Sequence, residues 1–393
     1  MNTKLLNSDI QAFIGLNLKS DISKILLKGT TFEDVSTSDI VAQIEAKAKC
    51  KTKLPTWFLT EGIYYPNKLN IEQTSSEIAA LYKSELLKGT SIIDVTGGFG
   101  VDSYYFSKVF KNVTHCEINT ELSQIVTHNN TKLGVENIQM IADDGIDYIT
   151  STKQDYDWIY IDPSRRHDQK GKVFFLKDCE PNVPNHLDDL LKVSKNIAIK
   201  TSPLLDLSVG ISELKHVKEI HIIAIKNEVK ELLWIIENGF NSEITIKTVN
   251  IIEGDKDEFS YKLEDESKAI VTFDDPQNYL YEPNSAILKS GGFNILAEQL
   301  NLIKLHQHSH LYTSSKLIDF PGRTFKIESI IDYNKKNLKA LKITKANMTI
   351  RNFPESVQNL RKKYRIKDGG KEYLFFTTNH CNEKILIVCS KLN

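Results

Sequence analysis

"SIIDVTGGFGVDSYYF", residues 91–106, is the stretch on which the fold turns. An apolar run ends at an acid, Asp94, the chain turns through Gly97, Gly98 and Gly100, and a helical pattern restarts. Glycines let the chain turn sharply after a strand and bring its backbone close to a ligand. In an open parallel sheet such a loop lies at the carboxyl end of a strand, where strand order reverses and ligands bind. The spacing disfavours two familiar nucleotide loops. Gly98 and Gly100 fit GxG, but Ser103 stands where GxGxxG needs its third glycine, and no GK[ST] follows. A nucleotide-like ligand without a pyrophosphate fits better.

Working outward, short apolar runs alternate with helical stretches. "SIIDV", "VTHCEI", "IQMIAD", "DWIYID" and "NIAIKT" read as strands; "DSYYFSKVF", "TELSQIVTHNNTKLG" and "PNHLDDLLKVS" read as helices. That alternation predicts βαβ units and a mostly parallel sheet covered on both faces. Upstream, Thr74-Ser75-Ser76-Glu77 forms a capping-box pattern ahead of a helix closed by Gly89. Downstream, "EIHIIAIKNEVKELLWIIE" reads as a hairpin turning at Lys226-Asn227-Glu228, an antiparallel edge to the sheet. "EITIKTVNI" and "EFSYKL" are further edge strands.

Three acids at strand ends narrow the ligand. Glu117 ends the second strand, where a carboxylate accepts both hydroxyl hydrogens of a ribose. Asp144 or Asp143 ends the third, within reach of an adenine amino group, and Asp94 beside the loop suits an ammonium. An amine, a ribose diol and an adenine without phosphates describe S-adenosylmethionine. Thr96, Gly97, Gly98, Gly100 and Ile118 complete the expected cofactor contacts.

The rest of the chain sets the frame. At 393 residues it has room for two or three domains, and 40% apolar with 26% charged residues is an ordered, globular composition. No apolar run approaches the ~18 residues of a spanning helix, and no membrane partner is expected. Five cysteines without a CxxC pair suit a reduced, cytoplasmic protein. Cys116 falls inside a strand and Cys179 in a loop, so neither points to a nucleophilic mechanism. His306, His308 and His310 alternate, but without nearby cysteines or paired acids no metal is expected. Residues 331–393 carry 14 Lys+Arg against 5 Asp+Glu, a net +9 that leaves −10 for residues 1–330. A basic module on an acidic body points to a polyanionic partner. Arg361, Lys362, Lys363, Arg365 and Lys367 are its expected RNA footprint.

With these motifs in place, "DVTGGFGVD", "CEIN", "ADDG" and "IDPSRR" resemble the class I methyltransferases. More narrowly, "LNIEQTSSEIAALYKS", "DPSRRHDQKGKVFFLKDCEPNVPNHLDDLL" and "ANMTIRNFPESVQNLRKKYRIKDGGKEYLFFTT" resemble a bacterial family with a C-terminal THUMP-like module. The core is also similar to RNA guanine-N2 enzymes, including cap trimethylguanosine synthases. The resemblance covers roughly residues 60–393 and implies an α/β, Rossmann-like core with a mostly parallel seven-stranded sheet and an antiparallel edge hairpin. Residues 1–60 read as short amphipathic helices, and the chain is expected to divide further into that core (61–280), a small α+β ferredoxin-like module (281–325) and a basic THUMP-like module (326–393). The activity implied is S-adenosylmethionine-dependent methyl transfer to RNA, to a base in the first reading.

Asp162-Pro163-Ser164-Arg165-Arg166 ends the fourth strand beside the methyl group. Enzymes acting on exocyclic amines often carry [DN]PP plus an aromatic there; Ser164 and Arg165 depart from that pattern. Asp162, Pro163, Arg165 and Lys200 are the candidate catalytic residues, with Arg166 a candidate RNA contact. The two arginines suit RNA phosphates or an internal pairing with Asp162 or Asp168. Lys200 ends the fifth strand, as a proton acceptor for a ribose hydroxyl or an ion-pair partner of Asp162 or Asp206. Ribose 2′-O or small-molecule methylation, and a non-catalytic RNA-binding protein that keeps the fold, are the alternatives.

Overall fold

In the computed structural model, which describes residues 1–165, 175–341 and 343–392, the chain opens with α1 Ser8–Leu16, α2 Ile22–Lys28 and α3 Thr37–Lys53. These are followed by α4 Pro55–Leu59, α5 Lys68–Gln73 and α6 Glu77–Leu86. Asn7, Asp21, Ser36, Asn67 and Ser76 start α1, α2, α3, α5 and α6 by accepting a backbone N–H on a side-chain oxygen. Each satisfies a donor that the first helical turn leaves open. Gly62 and Pro66 break the stretch between α4 and α5, yet Trp57, Tyr65 and Ile71 are buried with Ile10, Ile44, Leu122 and Val126 in one core. Side-chain amides satisfy the irregular backbone there. Gln43 accepts from Tyr65 N at 3.0 Å, while Asn129 accepts from Tyr64 N and donates to Tyr64 O, both at 2.9 Å. Helix α6 ends at Leu86 and not at Gly89, where a side chain would meet the Cβ of Asp157 at 2.8 Å. Among the described residues no helix is long and apolar enough to cross a membrane.

The apolar runs then form β1 Ser91–Asp94, β2 Asn112–Cys116, β3 Ile138–Ile141, β4 Trp158–Ile161 and β5 Asn196–Thr201. Helices α7 Val101–Phe106, α8 Thr120–Lys132, α9 Gly145–Ser151, α10 Val183–Val193 and α11 Leu207–Glu213 lie between or after them. The hairpin strands are β6 Val217–Ile225 and β7 Glu228–Glu237. One compact unit holds residues Met1–Lys218 and Leu232–Asn241. Within it the strand order is β7-β5-β4-β1-β2-β3, parallel except for β7 against β5. Ile92, Ile93, Ile159, Ile161, Ile197 and Ile199 are all fully buried, as strands covered on both faces require. Successive strands run outward from β1 to β3 and then cross to β4 on the other side of β1. That reversal puts the ligand crevice at the carboxyl ends of β1 and β4.

A second unit holds Glu219–Glu231 and Ser242–Asn393. Lys226 and Asn227, with φ of 51° and 61°, make the two-residue turn of the hairpin. The hairpin is not the sheet edge. β8 Thr245–Ile252 pairs parallel to β6, and β9 Asp255–Lys262 pairs antiparallel to β8. Because Ile220, Ile222, Ile223 and Ala224 are buried on both faces of β6, no alternation in the sequence marks which strand borders solvent. After α12 Asp265–Lys268 the chain builds another sheet. Its members are β10 Tyr279–Pro283, β11 Ile303–Lys304, β12 Tyr312–Ser314, β13 Gly322–Asp332, β14 Lys345–Ile350, β15 Lys367–Thr378 and β16 Lys384–Lys391. Their order is β11-β12-β10-β13-β16-β15-β14. α13 Ser285–Ser290 and α14 Phe293–Gln299 follow β10, α15 Lys335–Ala340 follows β13, and α16 Val357–Tyr364 follows β14. β13 pairs with β10 through Gly322–Lys326 and with β16 through Phe325–Asp332, so a single sheet runs through both C-terminal modules.

Candidate active site

The glycine loop is seated by side chains packed beneath it. Gly97 donates its N–H to Cys116 O at 2.8 Å, and a Cβ there would fall 2.1 Å from the His115 ring. His115 is fully buried, burial pushes its imidazole down to about 4, and its Nδ1 lies 3.0 Å from Ser103 Oγ. A neutral ring therefore fills the space below Gly97 and excludes any side chain there. Gly98, at φ 56°, has the opposite surroundings: a Cβ would meet nothing nearer than 3.8 Å, on the open side of the loop.

Glu117 follows β2 and locks onto this loop. Its Oε2 accepts Gly98 N at 2.8 Å and its Oε1 accepts Asn119 N at 2.7 Å. Ile118 beside it is 69% exposed, an apolar face held next to the carboxylate. After β3 the two aspartates separate in role. Asp144 caps α9 by accepting from Ile146 N at 2.8 Å and Asp147 N at 3.1 Å, whereas Asp143 is exposed. The sequence left the pair open; geometry makes Asp144 the structural member and leaves Asp143 facing outward. A carboxylate on the glycine loop, an exposed aliphatic face, an outward acid and a bare loop have the chemistry an adenosine-bearing cofactor would need.

The other half of the site is a chain of hydrogen bonds from β1 to β5. Asp94 is 2% exposed and accepts from Thr96 N at 3.1 Å and Ser103 Oγ at 2.9 Å. Burial, reinforced by the Asp102 carboxylate, pushes Asp94 up to about 7. Thr96 Oγ1 accepts the backbone N–H of Asp162 at 2.7 Å. Lys200 Nζ donates to Asp162 Oδ2 at 2.6 Å, with side chains 13% and 28% exposed. Burial raises the Asp162 carboxyl, and the Lys200 ammonium offsets only part of that rise. The ion pair follows from register. Ile161 pairs with Ile199 in parallel strands, so the residues just beyond them emerge side by side. Pro163 is buried, and the backbone of Arg165 pairs with Cys179 in a two-residue antiparallel ladder. Arg166 lies outside the described residues.

A group missed by sequence reasoning lies under Asp94. Lys83 of α6 is fully buried, 2.8 Å from Asp102 Oδ1, and it donates to Ser75 Oγ at 2.8 Å and Tyr160 OH at 3.1 Å. Ser75 and Tyr160 donate in turn to Asp102 Oδ2 at 2.8 and 3.0 Å. Burial works to raise the Asp102 carboxyl, but the Lys83 ammonium outweighs it and holds Asp102 below its ordinary value. The apolar pattern of α6 misleads: Ile78 and Leu81 are exposed while Lys83 and Ser84 are buried. The signal was the acid at Asp102, directly after the glycine loop.

In the C-terminal module the basic residues divide into two groups. Arg361 donates to Ala346 O and pairs with Asp368 at 2.5 Å, and Lys363 pairs with Glu355 at 3.0 Å. Lys362, Arg365 and Lys367 are exposed. Of the histidines, His306 Nε2 lies 3.1 Å from Asn382 Oδ1, and His310 stacks on Phe293 at 3.6 Å.

Fold and glycine loop together define a class I methyltransferase. A crystal structure from Porphyromonas gingivalis W83, provisionally assigned as a methyltransferase, matches all of this chain and 99% of its own at 31% identity and a TM-score of 0.88. Residues 279–321 match a ferredoxin-like domain family and residues 322–391 a THUMP domain-like family. The chain belongs to the methyltransferase family of that Porphyromonas protein, with a THUMP-like C-terminal domain. An uncharacterized RNA methyltransferase of Mycoplasma mobile is 22% identical over 178 residues, 44% of this chain. The match spans a little under half, 46%, of that curated relative's length.

Proposed function

We propose that this protein methylates a base in RNA from S-adenosylmethionine. The observation that carries the reading is the hydrogen-bonded chain Asp94–Thr96–Asp162–Lys200, which joins the glycine loop to an acceptor-binding carboxylate. Glu117 would hold the ribose, Ile118 and Asp143 the adenine, and the loop through Gly97, Gly98 and Gly100 the cofactor's amino-acid end. The cofactor supplies an activated methyl group. Asp162 and the neighbouring Pro163 carbonyl orient the acceptor, so that proximity rather than covalent help dominates the rate. The name of the Mycoplasma relative and the THUMP-like match support RNA as the substrate. The short Lys200–Asp162 pair also favours a second reading, ribose 2′-O-methylation, in which Lys200 takes the hydroxyl proton. Mass spectrometry of RNA nucleosides from a deletion strain and its parent tests both, since the missing methylated nucleoside reports the target.

Glu117→Ala is expected to weaken cofactor binding by about 1.5–3 kcal/mol, through loss of charged hydrogen bonds. The loop should loosen as well, because Gly98 N loses its partner. Calorimetry with S-adenosylmethionine and its demethylated product measures this, and wild-type affinity in the variant removes Glu117 from the site.

Lys362, Arg365 and Lys367 are the basic residues we assign to RNA, since Arg361 and Lys363 have internal partners. Neutralising a phosphate releases counterions, so each lost contact flattens the log–log salt slope by about 0.7–0.9. The triple variant Lys362→Ser, Arg365→Asn, Lys367→Ser should lower both RNA affinity and that slope; asparagine suits the left-handed φ of 57° at position 365. Unchanged affinity at low salt rejects this face as the contact.

A further inference from the structure

We propose that Asp274, Asp275 and His380 bind a divalent transition-metal ion of the zinc class, which ties the segment between α12 and β10 to the turn between β15 and β16. His306, His308 and His310 have no paired acids beside them in the sequence, but the fold brings the Asp274–Asp275 pair to a different histidine. One carboxylate oxygen from each aspartate and one ring nitrogen of His380 lie within 4.8 Å of one another. The closest approach has the spacing of two ligands on one ion. Bonds of about 2.1 Å from zinc to nitrogen and oxygen, at a tetrahedral angle, set the two ligand atoms about 3.4 Å apart. His380 Nε2 stands 3.4 Å from Asp275 Oδ1. A charge-assisted hydrogen bond between the same groups would draw them to about 2.7–2.9 Å.

Both halves of the site are held in place without the ion. Asp274 donates its N–H to Lys304 O at 3.3 Å, and Lys304 N donates to Thr272 O at 3.0 Å, so the acidic segment is laid along β11. On the other side Asn379, 4% exposed, accepts from Cys381 N at 3.1 Å and Glu383 N at 2.9 Å, which fixes the turn around His380. Its amide nitrogen reaches Asp275 Oδ1 at 3.5 Å, the place of an outer-shell partner that orients a ligand. Among the described residues no lysine or arginine pairs with Asp274 or Asp275, so two adjacent carboxylates share one histidine. Asp275 and His380 are 68% and 30% exposed, which leaves an entry path from solvent. An imidazole beside carboxylates suits zinc-class ions, whereas magnesium and calcium take oxygen ligands throughout. Three protein ligands leave a fourth position to water or to the exposed Cys381 thiol, whose Sγ lies 3.7 Å from His380 Nε2.

The test strips the full-length protein with a chelator, removes the chelator, and titrates Zn²⁺ by calorimetry in excess Mg²⁺. One equivalent should bind, and Tm should rise with Zn²⁺ concentration, because an ion that binds only the folded state stabilises it. His380→Ala and Asp275→Ala should each weaken binding by at least about tenfold, the loss that even an outer-shell change causes, and should suppress the rise in Tm. Asp275 is exposed, so its variant keeps the fold in which the loss is read. His308→Ala, an exposed histidine outside the three, should bind Zn²⁺ as the wild type does. Absence of stoichiometric binding, or binding that survives both ligand variants, overturns the site. Binding lost in His308→Ala but kept in Asp275→Ala moves the ion to the His306–His310 segment and overturns it as well.

Discussion

Asp162→Ala is expected to slow single-turnover methyl transfer by about 100-fold or more, while cofactor affinity stays close to wild type. The two effects separate because of where the side chain sits. Asp162 follows β4 and is held by Thr96 and Lys200, whereas the carboxylate on the glycine loop is Glu117. Removing Asp162 leaves the loop's own hydrogen bonds intact but deletes the group proposed to orient the acceptor. Misplacing a reacting atom forfeits the advantage of proximity even when both reactants remain bound. The pH dependence carries a second signature. Asp162 must be ionised to accept from the substrate, and burial raises its carboxyl above the ordinary range. Activity should therefore fall on acidification at a higher pH than an exposed aspartate would give, and this limb should be absent from the residual activity of Asp162→Ala. Rapid-quench assays on the true RNA, with calorimetry of the cofactor, measure both. Wild-type turnover in the variant moves the active site elsewhere.

Lys83→Met is expected to destabilise the protein by about 3–5 kcal/mol near pH 8, through the uncompensated charge it leaves on buried Asp102. Lys83 is fully buried against Asp102, Ser75 and Tyr160, so no water replaces the lost ammonium. The pH dependence has a definite sign. In the wild type Asp102 is held below its ordinary value, so the pair contributes stability at neutral pH that is lost on strong acidification. In the variant the main opposing charge is gone, and burial, opposed by the Ser75 hydroxyl and Lys200, raises the folded-state value above the unfolded one. The folded variant then binds the extra proton, and its deficit grows as pH rises from the ordinary carboxylate range toward the raised value. Urea denaturation at pH 5 and pH 8 should show a smaller deficit at pH 5. Lys83→Met combined with Asp102→Asn should recover much of the loss, because the buried charge is then gone. Equal deficits at the two pH values, with no recovery in the double variant, reject the ion pair as their source.

Sequence alone determined the parts of this protein that local pattern encodes. Apolar runs such as "SIIDV" and "DWIYID" separated by helical stretches require a parallel sheet, because each run is too apolar to face water on either side. A chain direction shared by all five strands then brings their terminal residues, Asp94, Glu117, Asp162 and Lys200 among them, to one end of the sheet. Pairing across the chain was decided only in three dimensions. That Asp162 and Lys200 form an ion pair follows from the register of Ile161 with Ile199, which neither strand states by itself. The choice between Asp143 and Asp144 depended on which carboxylate reaches the first turn of α9. Arg361 looks as available as Lys362 in the sequence, yet the fold brings Asp368 and the Ala346 carbonyl to its guanidinium. Lys83 is the strongest case. Nothing local to α6 marks Lys83 for burial, but a buried lysine is tolerable where Asp102, Ser75 and Tyr160 converge, and those three residues come from separate parts of the chain. Short-range periodicity records how each segment meets its own neighbours along the chain, whereas burial of a charge is decided by partners that only the packed sheet and helices bring within hydrogen-bond distance.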